Sequence, residues 1–371
     1  MKRHLLVTND YPPKVGGIQS YLWELWKRLP EEKVTVFTPD HVDARIFDVE
    51  QGHSIVRDKR KVFFPTRSLA ADIRDLARKV DAELVVLDPA LPLGHLAPSL
   101  DLPYAVIVHG AEVALPGRLP ITKQLLRRVL LGAEFVITAG GYPAAEAVRA
   151  ANRPIETIVI PPGVDGSRFA PLGSPVVIEQ KRRELGLGDG PVVVGLSRLV
   201  PRKGFDRTIA AVAALRSEFP DIQLVIGGTG RDKARLERIA SKVDFPVRFL
   251  GRIEESEMPS VYGVADVFVM PCRSRWAGLE QEGFGIVFLE AAASGVPQVA
   301  GLSGGAHEAV IDGVTGYVIE EPKDSRAIAN AIQSILASAS LRSEMGQRSR
   351  ERVESSLSYG ILAQQLRAAL S

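Results

Sequence analysis

The chain has 371 residues, a net charge of +2 and a single cysteine, Cys272. This length exceeds one ordinary hydrophobic core and predicts two domains of about 150–200 residues each. The balanced charge argues against a nucleic-acid binder, and one cysteine excludes an internal disulfide or a multi-cysteine zinc site. The first apolar run is too short for a signal peptide, so we expect a cytoplasmic protein.

Short apolar, β-branched runs alternate with helical patterns along the whole chain. In the first half we expect strands within residues 5–8, 34–37, 84–87, 104–110, 135–139 and 157–163. In the second half we expect them within residues 191–197, 223–228, 247–251, 266–270 and 296–301. This alternation predicts an α/β protein whose parallel sheets are covered by helices.

A segment rich in proline and glycine, residues 161–175, separates the two sets of strands and is the predicted linker. We therefore expect one domain over residues 1–163 and a second over residues 164–354. Residues 355–371 read as a final helix that packs back on the first domain.

The two halves begin alike, with HLLVT leading to NDYPPKVGG and PVVVGLS leading to RLVPRKG, each followed by a helix. This predicts one Rossmann-like, doubly wound fold used twice. Ligands of such sheets bind beyond the carboxyl ends of the strands. Two domains that face each other would then enclose one cleft.

Glycines and cations occupy the two matching loops. Gly16 and Gly17 allow the backbone to approach an anion at the start of the following helix, although a plain tight turn explains them too. Arg198 and Lys203 suit a diphosphate, and surface charge is the alternative. The chain has neither GxGxxG nor GxxxxGK[ST], which argues against a dehydrogenase and a P-loop nucleotidase.

Two glutamates belong to a predicted helix over residues 284–293 and its approach. Glu282 would precede its first turn and Glu290 would lie inside it, about 12 Å apart along the axis. One carboxylate could hold sugar hydroxyls and the other a ribose, with the free N–H groups near Gly285 and Ile286 directed at phosphates. The alternative is one capping glutamate and one on the helix surface.

His109 ends an otherwise apolar strand, which places it at the cleft, unless it is a hydrogen-bonded histidine at the core edge. No metal-ligand spacing and no DxD pair occurs, so we expect no bound metal. Cys272 reads as a small buried residue.

Two basic clusters include apolar residues. One consists of Arg57, Lys59, Arg60, Lys61 and Arg67 around VFFP, and the other of Lys123, Arg127 and Arg128 among leucines. The second predicts an amphipathic helix with either a solvated face or a face that rests on anionic lipid.

These motifs together resemble the retaining family-4 glycosyltransferases with the GT-B fold. The likeness is carried by EGFGIVFLE, which fits the E-x7-E motif, and by the GG loop, the HG strand end, SRLVPRKG, GRI and GVPQVAGLSGGAHEAV. Within that family the chain looks most like the actinobacterial phosphatidyl-myo-inositol mannosyltransferases. The likeness extends over nearly the whole chain.

The resemblance implies metal-independent transfer of a sugar, with GDP-mannose as donor and a phosphatidylinositol mannoside lipid as acceptor, at the inner face of the membrane. It makes the first domain acceptor-binding and the second nucleotide-sugar-binding. His109, Glu282, Arg198 and Lys203 would be catalytic, and His109 would steady the charge of an oxocarbenium-like transition state. The implied donor-binding residues are Gly16, Gly17, Arg198, Lys203, Gly251, Arg252, Ile253, Glu282, Gly283, Phe284, Gly285, Ile286 and Glu290.

The acceptor is less defined, because Pro162, Ala111 and His307 depart from residues common in the family. Asn9, Asp10 and Gln19 are our acceptor candidates. Two other functions stay open. One is a retaining transferase that uses UDP-glucose, UDP-N-acetylglucosamine or another nucleotide sugar with a soluble or polysaccharide acceptor, and the other is a nucleotide-sugar-binding protein without turnover.

Overall fold

The computed structural model describes the backbone of residues 1–371 and the side chains of residues 1–276 and 278–371. The chain divides into two compact units. The first unit comprises Met1–Pro162 together with Tyr359–Ser371, and the second comprises Gly163–Ser358. The change of unit at residue 162 falls in the proline- and glycine-rich segment.

Thirteen strands are formed by the described chain. They are β1 His4–Thr8, β2 Val34–Pro39, β3 Ser54–Asp58, β4 Leu84–Asp88, β5 Tyr104–Val108, β6 Val136–Thr138, β7 Thr157–Val159, β8 Val192–Leu196, β9 Gln223–Gly227, β10 Val247–Gly251, β11 Val267–Met270, β12 Gln298–Gly301 and β13 Gly316–Ile319.

The α-helices alternate with these strands. They are α1 Gly17–Trp26, α2 Ala44–Asp48, α3 Arg67–Lys79, α4 Ala111–Ala114, α5 Pro120–Gly132, α6 Gly141–Ala151, α7 Pro175–Glu184, α8 Phe205–Ala214, α9 Lys233–Ala240, α10 Met258–Gly263, α11 Ile286–Ala293, α12 Ala306–Ala309, α13 Ser325–Ala337, α14 Ala339–Arg352 and α15 Tyr359–Ala369. A π-helical segment, Val353–Leu357, separates α14 from α15.

The first unit contains a seven-stranded sheet in the order β3-β2-β1-β4-β5-β6-β7, and every pair of neighbours is parallel. Its central strands are buried throughout and mostly apolar because helices cover both faces. One of these helices is α15, whose Leu362 and Leu366 join a core cluster with Leu22 and Trp26 of α1.

The second unit contains a six-stranded parallel sheet in the order β10-β9-β8-β11-β12-β13. Helix α8 covers it with Phe205, Ile209 and Val212, all buried as their spacing predicts. The prediction of two α/β units with parallel sheets is confirmed.

The strand order reverses between β1 and β4 in the first sheet and between β8 and β11 in the second. Such a switch point separates the loops that leave two adjacent parallel strands, so ligands of these folds bind there. The loops after β8 and β11 carry Lys203 and Glu282, and Asp88 ends β4. The fold therefore directs the candidate residues of each unit to the carboxyl ends of its own sheet.

Two strands and one helix boundary differ from the sequence predictions. The unpredicted strands, β3 and β13, are both edge strands, which have one neighbour and need fewer apolar residues. Helix α11 begins at Ile286 rather than at residue 284, because Gly285 has φ +90° and cannot continue a right-handed helix.

Among the described helices, none combines the length and the hydrophobicity that crossing a bilayer requires.

Candidate active site

Lys203 lies in a short turn that follows β8. The turn is the 3₁₀ helix Pro201–Lys203, and the Lys203 N–H bonds to the carbonyl of Val200 at 3.0 Å. Gly204 ends the turn with φ +78°. A Cβ on Gly204 would lie 2.2 Å from the Pro271 carbonyl oxygen, so the turn is packed against the chain leaving β11.

The structure brings together two of the candidate residues, Lys203 and Glu282. The Lys203 Nζ lies 2.8 Å from Oε2 of Glu282, and both residues are buried, at 6% and 7% exposure. The same oxygen lies 3.6 Å from Nη1 of Arg202 and 3.6 Å from Sγ of Cys272. Arg202 is thus a neighbour of this pair that the sequence reasoning passed over.

The Arg202 side chain keeps unused donor capacity. Its Nη1 is buried and makes no hydrogen bond to the described side chains and backbone, despite its proximity to Glu282. Burial raises the pKa of Glu282, but the charges of Lys203 and Arg202 outweigh it, so the pKa of Glu282 lies below its ordinary value. The cluster holds two cations and one ionised carboxylate.

The loop that leads to Glu282 is fastened to the lysine loop by Arg273. The backbone N–H of Arg273 donates to the carbonyl of Arg202 at 2.8 Å. Its guanidinium contacts both carboxylate oxygens of Asp206, at 2.9 and 3.1 Å, in the first turn of α8. Arg275 instead pairs with Glu280 at 2.8 Å, so both arginines have intramolecular partners.

The backbone of Glu282 is fixed by the segment after β12. The Gly305 N–H donates to the Glu282 carbonyl at 3.0 Å. A Cβ on Gly304 would lie 2.0 Å from that same oxygen, where only glycine allows so close an approach. Glu282 therefore has little freedom to leave its position.

Glu290 lies in α11 and is not part of the Lys203 cluster. Its Oε2 accepts a hydrogen bond from the phenol of Tyr262 at 2.5 Å. Burial raises the pKa of Glu290, while the Tyr262 hydrogen bond and the charge of Arg168 lower it and Glu255 adds to the rise; the net direction is upward. Tyr262 is a second residue that the sequence reasoning did not identify.

The remaining donor candidates of the second unit have varied surroundings. Arg198 is exposed and forms no ion pair with the described side chains. Gly251 has φ +68°, and its carbonyl accepts from the Gly228 N–H at 2.7 Å, while Arg252 is exposed and Ile253 packs beside Gly227. The residues that precede α11 are Gly283, buried Phe284, Gly285 as its N-cap and Ile286 as its first residue.

In the first unit, His109 follows β5 and contacts the end of β4. Its Nε2 lies 2.6 Å from Oδ1 of Asp88, and Oδ2 of Asp88 accepts from the Thr8 hydroxyl at 2.6 Å. The imidazole also meets the Tyr21 ring edge-on, with centroids 5.6 Å apart. Asp88 was missed, although a polar residue after the apolar run LVVL is the same signal that identified His109.

The surroundings of His109 favour its charged form. Burial lowers the pKa of His109, but the charge and hydrogen bond of Asp88, with Glu112 and Asp10, outweigh it, so the pKa is raised. Since Nε2 faces a carboxylate, Nε2 carries a proton, and Nδ1 is the nitrogen left for a ligand.

The acceptor candidates form a small polar group near Gly16, the N-cap of α1. Asp10 accepts from Gln19 at 2.6 Å and from Lys14 at 2.7 Å. Both ends of the Asn9 amide bond to the backbone of Phe63, at 2.7 and 3.1 Å, which leaves Asn9 little capacity for a ligand.

No group of three or more His, Cys, Asp or Glu side chains with metal-binding geometry occurs in the described part of the chain.

Similarity to known proteins extends over both units. The family model described as Glycosyltransferase Family 4 matches residues 15–168, and the one described as Glycosyl transferases group 1 matches residues 177–352. The GDP-mannose-dependent alpha-(1-6)-phosphatidylinositol monomannoside mannosyltransferase of Mycolicibacterium smegmatis is 41% identical over 92% of this chain and 91% of its own length. The Mycobacterium tuberculosis protein of that name is 38% identical, with 99% of this chain and 97% of its own length covered.

Solved structures resemble the chain over its full length. Anabaena HepE in complex with UDP and glucose superposes with a TM-score of 0.81 at 20% identity, and covers 100% of this chain and 99% of its own. Sucrose-phosphate synthase from Thermosynechococcus elongatus gives 0.77 at 22% identity, with 100% and 98% covered. These likenesses concern the fold.

Proposed function

Because this chain belongs to the family-4 glycosyltransferases with the GT-B fold, we propose that it transfers mannose from GDP-mannose to a phosphatidylinositol mannoside. It is a glycosyltransferase, and its substrate is a nucleotide sugar. The observation that carries the diphosphate part of this proposal is the buried cluster of Lys203, Arg202 and Glu282 at the switch point of the second sheet. The choice of GDP and mannose is supported by the similar mannosyltransferases.

The second unit is the proposed nucleotide-sugar-binding domain. Lys203, Arg202 and the exposed Arg198 would neutralise the diphosphate, in place of a metal ion. Glu282 would accept hydrogen bonds from the sugar hydroxyls and Glu290 from the ribose. The N–H groups at the start of α11 would add partial positive charge near the phosphates, and the backbone of residues 251–253 would face the base.

The proposed reaction proceeds with retention of anomeric configuration. The bond between the anomeric carbon and the phosphate oxygen breaks, and the acceptor hydroxyl attacks the same face. The leaving phosphate oxygen takes the acceptor's proton, so no carboxylate nucleophile is needed. Stabilising the charge that develops on the leaving diphosphate is then the main electrostatic task, for which fixed cations are suited.

The first unit is the proposed acceptor-binding domain. Asp88 holds the His109 ring, whose Nδ1 is available to a sugar hydroxyl. Because the Asp88 carboxylate accompanies the imidazolium, the pair adds no net positive charge that would oppose the charge developing at the anomeric carbon. Asp10 and Gln19 remain proposed acceptor contacts.

We also propose that the protein contacts anionic lipid at the inner face of the cell membrane. Phe64 and Val62 are 65% and 47% exposed, and Lys59, Lys61 and Arg67 beside them are exposed too. Helix α5 begins after Leu119 and includes Ile121, which are 51% and 79% exposed, and it also exposes Lys123 and Arg128. Exposed apolar side chains can insert into a membrane interface, and neighbouring basic side chains are attracted to anionic lipid headgroups.

A nucleotide panel tests the donor. The melting temperature is measured with GDP, UDP and ADP and with their sugars, since a ligand that binds only the folded state stabilises it by an amount that grows with the ratio of ligand concentration to dissociation constant. We expect the largest increase with GDP and GDP-mannose, and transfer of mannose to a phosphatidylinositol monomannoside in a radiolabel assay. A response to UDP alone would refute the mannose proposal.

A further inference from the structure

A buried tyrosine makes the one hydrogen bond that the described part of the chain supplies to the Glu290 carboxylate. The Tyr262 phenol donates to Oε2 at 2.5 Å, which is a short, charge-assisted bond. Oε1 of Glu290 has no hydrogen-bond donor among the described residues. A carboxylate held on one oxygen in this way keeps its other lone pairs for a ligand.

The relative position of the two side chains is fixed by aromatic packing. Tyr262 is fully buried in α10, and its ring contacts Phe169 and Phe268, with centroids 5.8 and 5.7 Å apart. Phe268 of β11 also meets Phe288 of α11 edge-on at 5.6 Å. Phe268 therefore contacts both α10 and α11, and this packing holds the Tyr262 ring beside the helix that carries Glu290.

We infer that Tyr262 is the positioning residue that presents Glu290 to the two ribose hydroxyls, and so makes the second unit selective for ribonucleotides over deoxyribonucleotides. This inference rests on the proposed role of Glu290 in donor binding. The two hydroxyls of ribose are donors, and an ionised carboxylate offers only acceptors, so the two groups are complementary.

The tyrosine is needed because the surroundings of Glu290 oppose its ionised form. Burial raises the pKa of Glu290, and a protonated carboxyl would offer one donor and fewer acceptor sites to the sugar. A phenol that donates to Oε2 stabilises the ionised form and orients the plane of the carboxylate. A deoxy ligand lacks one of the hydroxyls that donate to Glu290. Its binding would leave a buried carboxylate oxygen without a hydrogen bond, so the site rejects it.

Tyr262→Phe tests the inference because it removes the hydroxyl and keeps the ring. The dissociation constants of GDP, 2′-deoxy-GDP and 3′-deoxy-GDP are measured by calorimetry for the full chain. We expect roughly a tenfold loss of GDP affinity, with much less loss for the deoxy forms, so that the preference for ribose falls by a similar factor. In the transfer assay the KM for GDP-mannose should rise while kcat changes less than about twofold, as for uniform binding.

Tyr104→Phe is the matched control. Tyr104 is also a buried tyrosine, and its phenol donates to the backbone carbonyl of Val129 at 2.8 Å in the first unit. Its loss should alter the melting temperature and leave the ribose preference unchanged. Glu290→Asp, which withdraws the carboxylate from an intact Tyr262, should reduce the preference as Tyr262→Phe does, and it provides the test if the tyrosine variant does not fold.

The possible results distinguish a failure of the Tyr262 inference from a failure of the proposed donor-binding function. A Tyr262→Phe protein that melts like the wild type and keeps its full preference for GDP over both deoxy forms overturns the inference. If Glu290→Asp also keeps that preference, the proposed ribose role of Glu290 fails as well. A wild-type chain that binds no GDP contradicts the proposed donor, and the inference falls with it.

Discussion

The Nζ of Lys203 lies 2.8 Å from Oε2 of Glu282. The side chain expected to bind the diphosphate therefore forms an ion pair with the side chain expected to bind the sugar. Both are buried, and Arg202 is their only other charged contact among the described side chains. In the proposed roles of these residues, a donor diphosphate draws Lys203 towards its own oxygens, which leaves Glu282 an acceptor for sugar hydroxyls. Nucleotide binding and sugar binding should therefore be coupled through this ion pair.

Glu282→Gln should separate transfer from nucleotide binding. The variant keeps the shape of the side chain and frees Lys203, so we expect the affinity for GDP to be retained or increased. Turnover should fall at least about a hundredfold, as when one transition-state contact is removed. Calorimetry with GDP and the transfer assay measure the two effects, and Glu280→Gln, in the same loop, is the control. Unchanged turnover would exclude the role given to Glu282.

Lys203→Ala should weaken both diphosphate binding and the fold. The loss leaves Glu282 a buried charge with only Arg202 at 3.6 Å, which costs about 3 kcal/mol in the free energy of unfolding. The double variant Lys203→Ala/Glu282→Gln should regain most of that stability, since the uncompensated charge is gone, but not the affinity for GDP. Urea unfolding and calorimetry provide the comparison. Equal stability of Lys203→Ala and the double variant would show that the loss of Lys203 does not leave Glu282 as an uncompensated buried charge.

The sequence predicted those parts of the molecule that depend on local pattern. Apolar runs identified the central strands, and the polar residues after β5 and β8 identified His109 and Lys203. The strands β3 and β13 were missed because their apolar runs, residues 55–56 and 317–319, are short. Edge position alone does not explain the omission, since the edge strands β7 and β10 were predicted. Asp88, Arg202 and Tyr262 act through tertiary contacts whose partners are 21, 80 and 28 residues away. No local pattern encodes such separations.

Arg273→Gln should impair donor binding more than stability. Arg273 joins the Glu282 loop to α8 through Asp206, so its loss should raise the KM for GDP-mannose roughly tenfold by misplacing Glu282. The matched control is Arg182→Gln, which breaks the similarly buried pair with Asp266 at 2.8 Å, between α7 and the chain before β11. The control should lower the melting temperature comparably with no change in KM. Equal kinetic effects of the two variants would contradict the assignment.

The pH dependence of stability should reveal the charged state of His109. Its pKa is raised above 6.5 in the folded protein, so its protonated form is stabilised by folding. That contribution is fully present below pH 6.5 and is lost as the pH rises through the folded value. The difference in melting temperature between the wild type and His109→Gln should thus be largest near pH 5 and shrink towards pH 8.

His4→Gln should show the opposite trend and serves as the control for His109. Burial lowers the pKa of His4 to about 4, so its neutral form is favoured by folding and its contribution grows as the pH rises to 6.5. The neutral ring accepts from the Trp26 indole at 2.9 Å. Parallel pH curves for the two variants would mean that Asp88 does not stabilise the His109 imidazolium.

A comparison of Gly204 with Gly173 distinguishes the cost of backbone strain from the cost of close packing in the turn that contains Lys203. Gly204 and Gly173 both have φ +78°, so an alanine at either should cost about 1 kcal/mol for the left-handed conformation. A Cβ on Gly173 meets nothing within 4 Å, whereas one on Gly204 would lie 2.2 Å from the Pro271 carbonyl oxygen. Backbone must move to relieve that contact, and the chain it would push leads through Cys272 to Glu282. We expect Gly204→Ala to lose at least about 2 kcal/mol more than Gly173→Ala in urea unfolding, and to bind GDP more weakly, while Gly173→Ala binds it normally. Equal losses of stability in the two variants would show that the turn is not packed against the chain leaving β11.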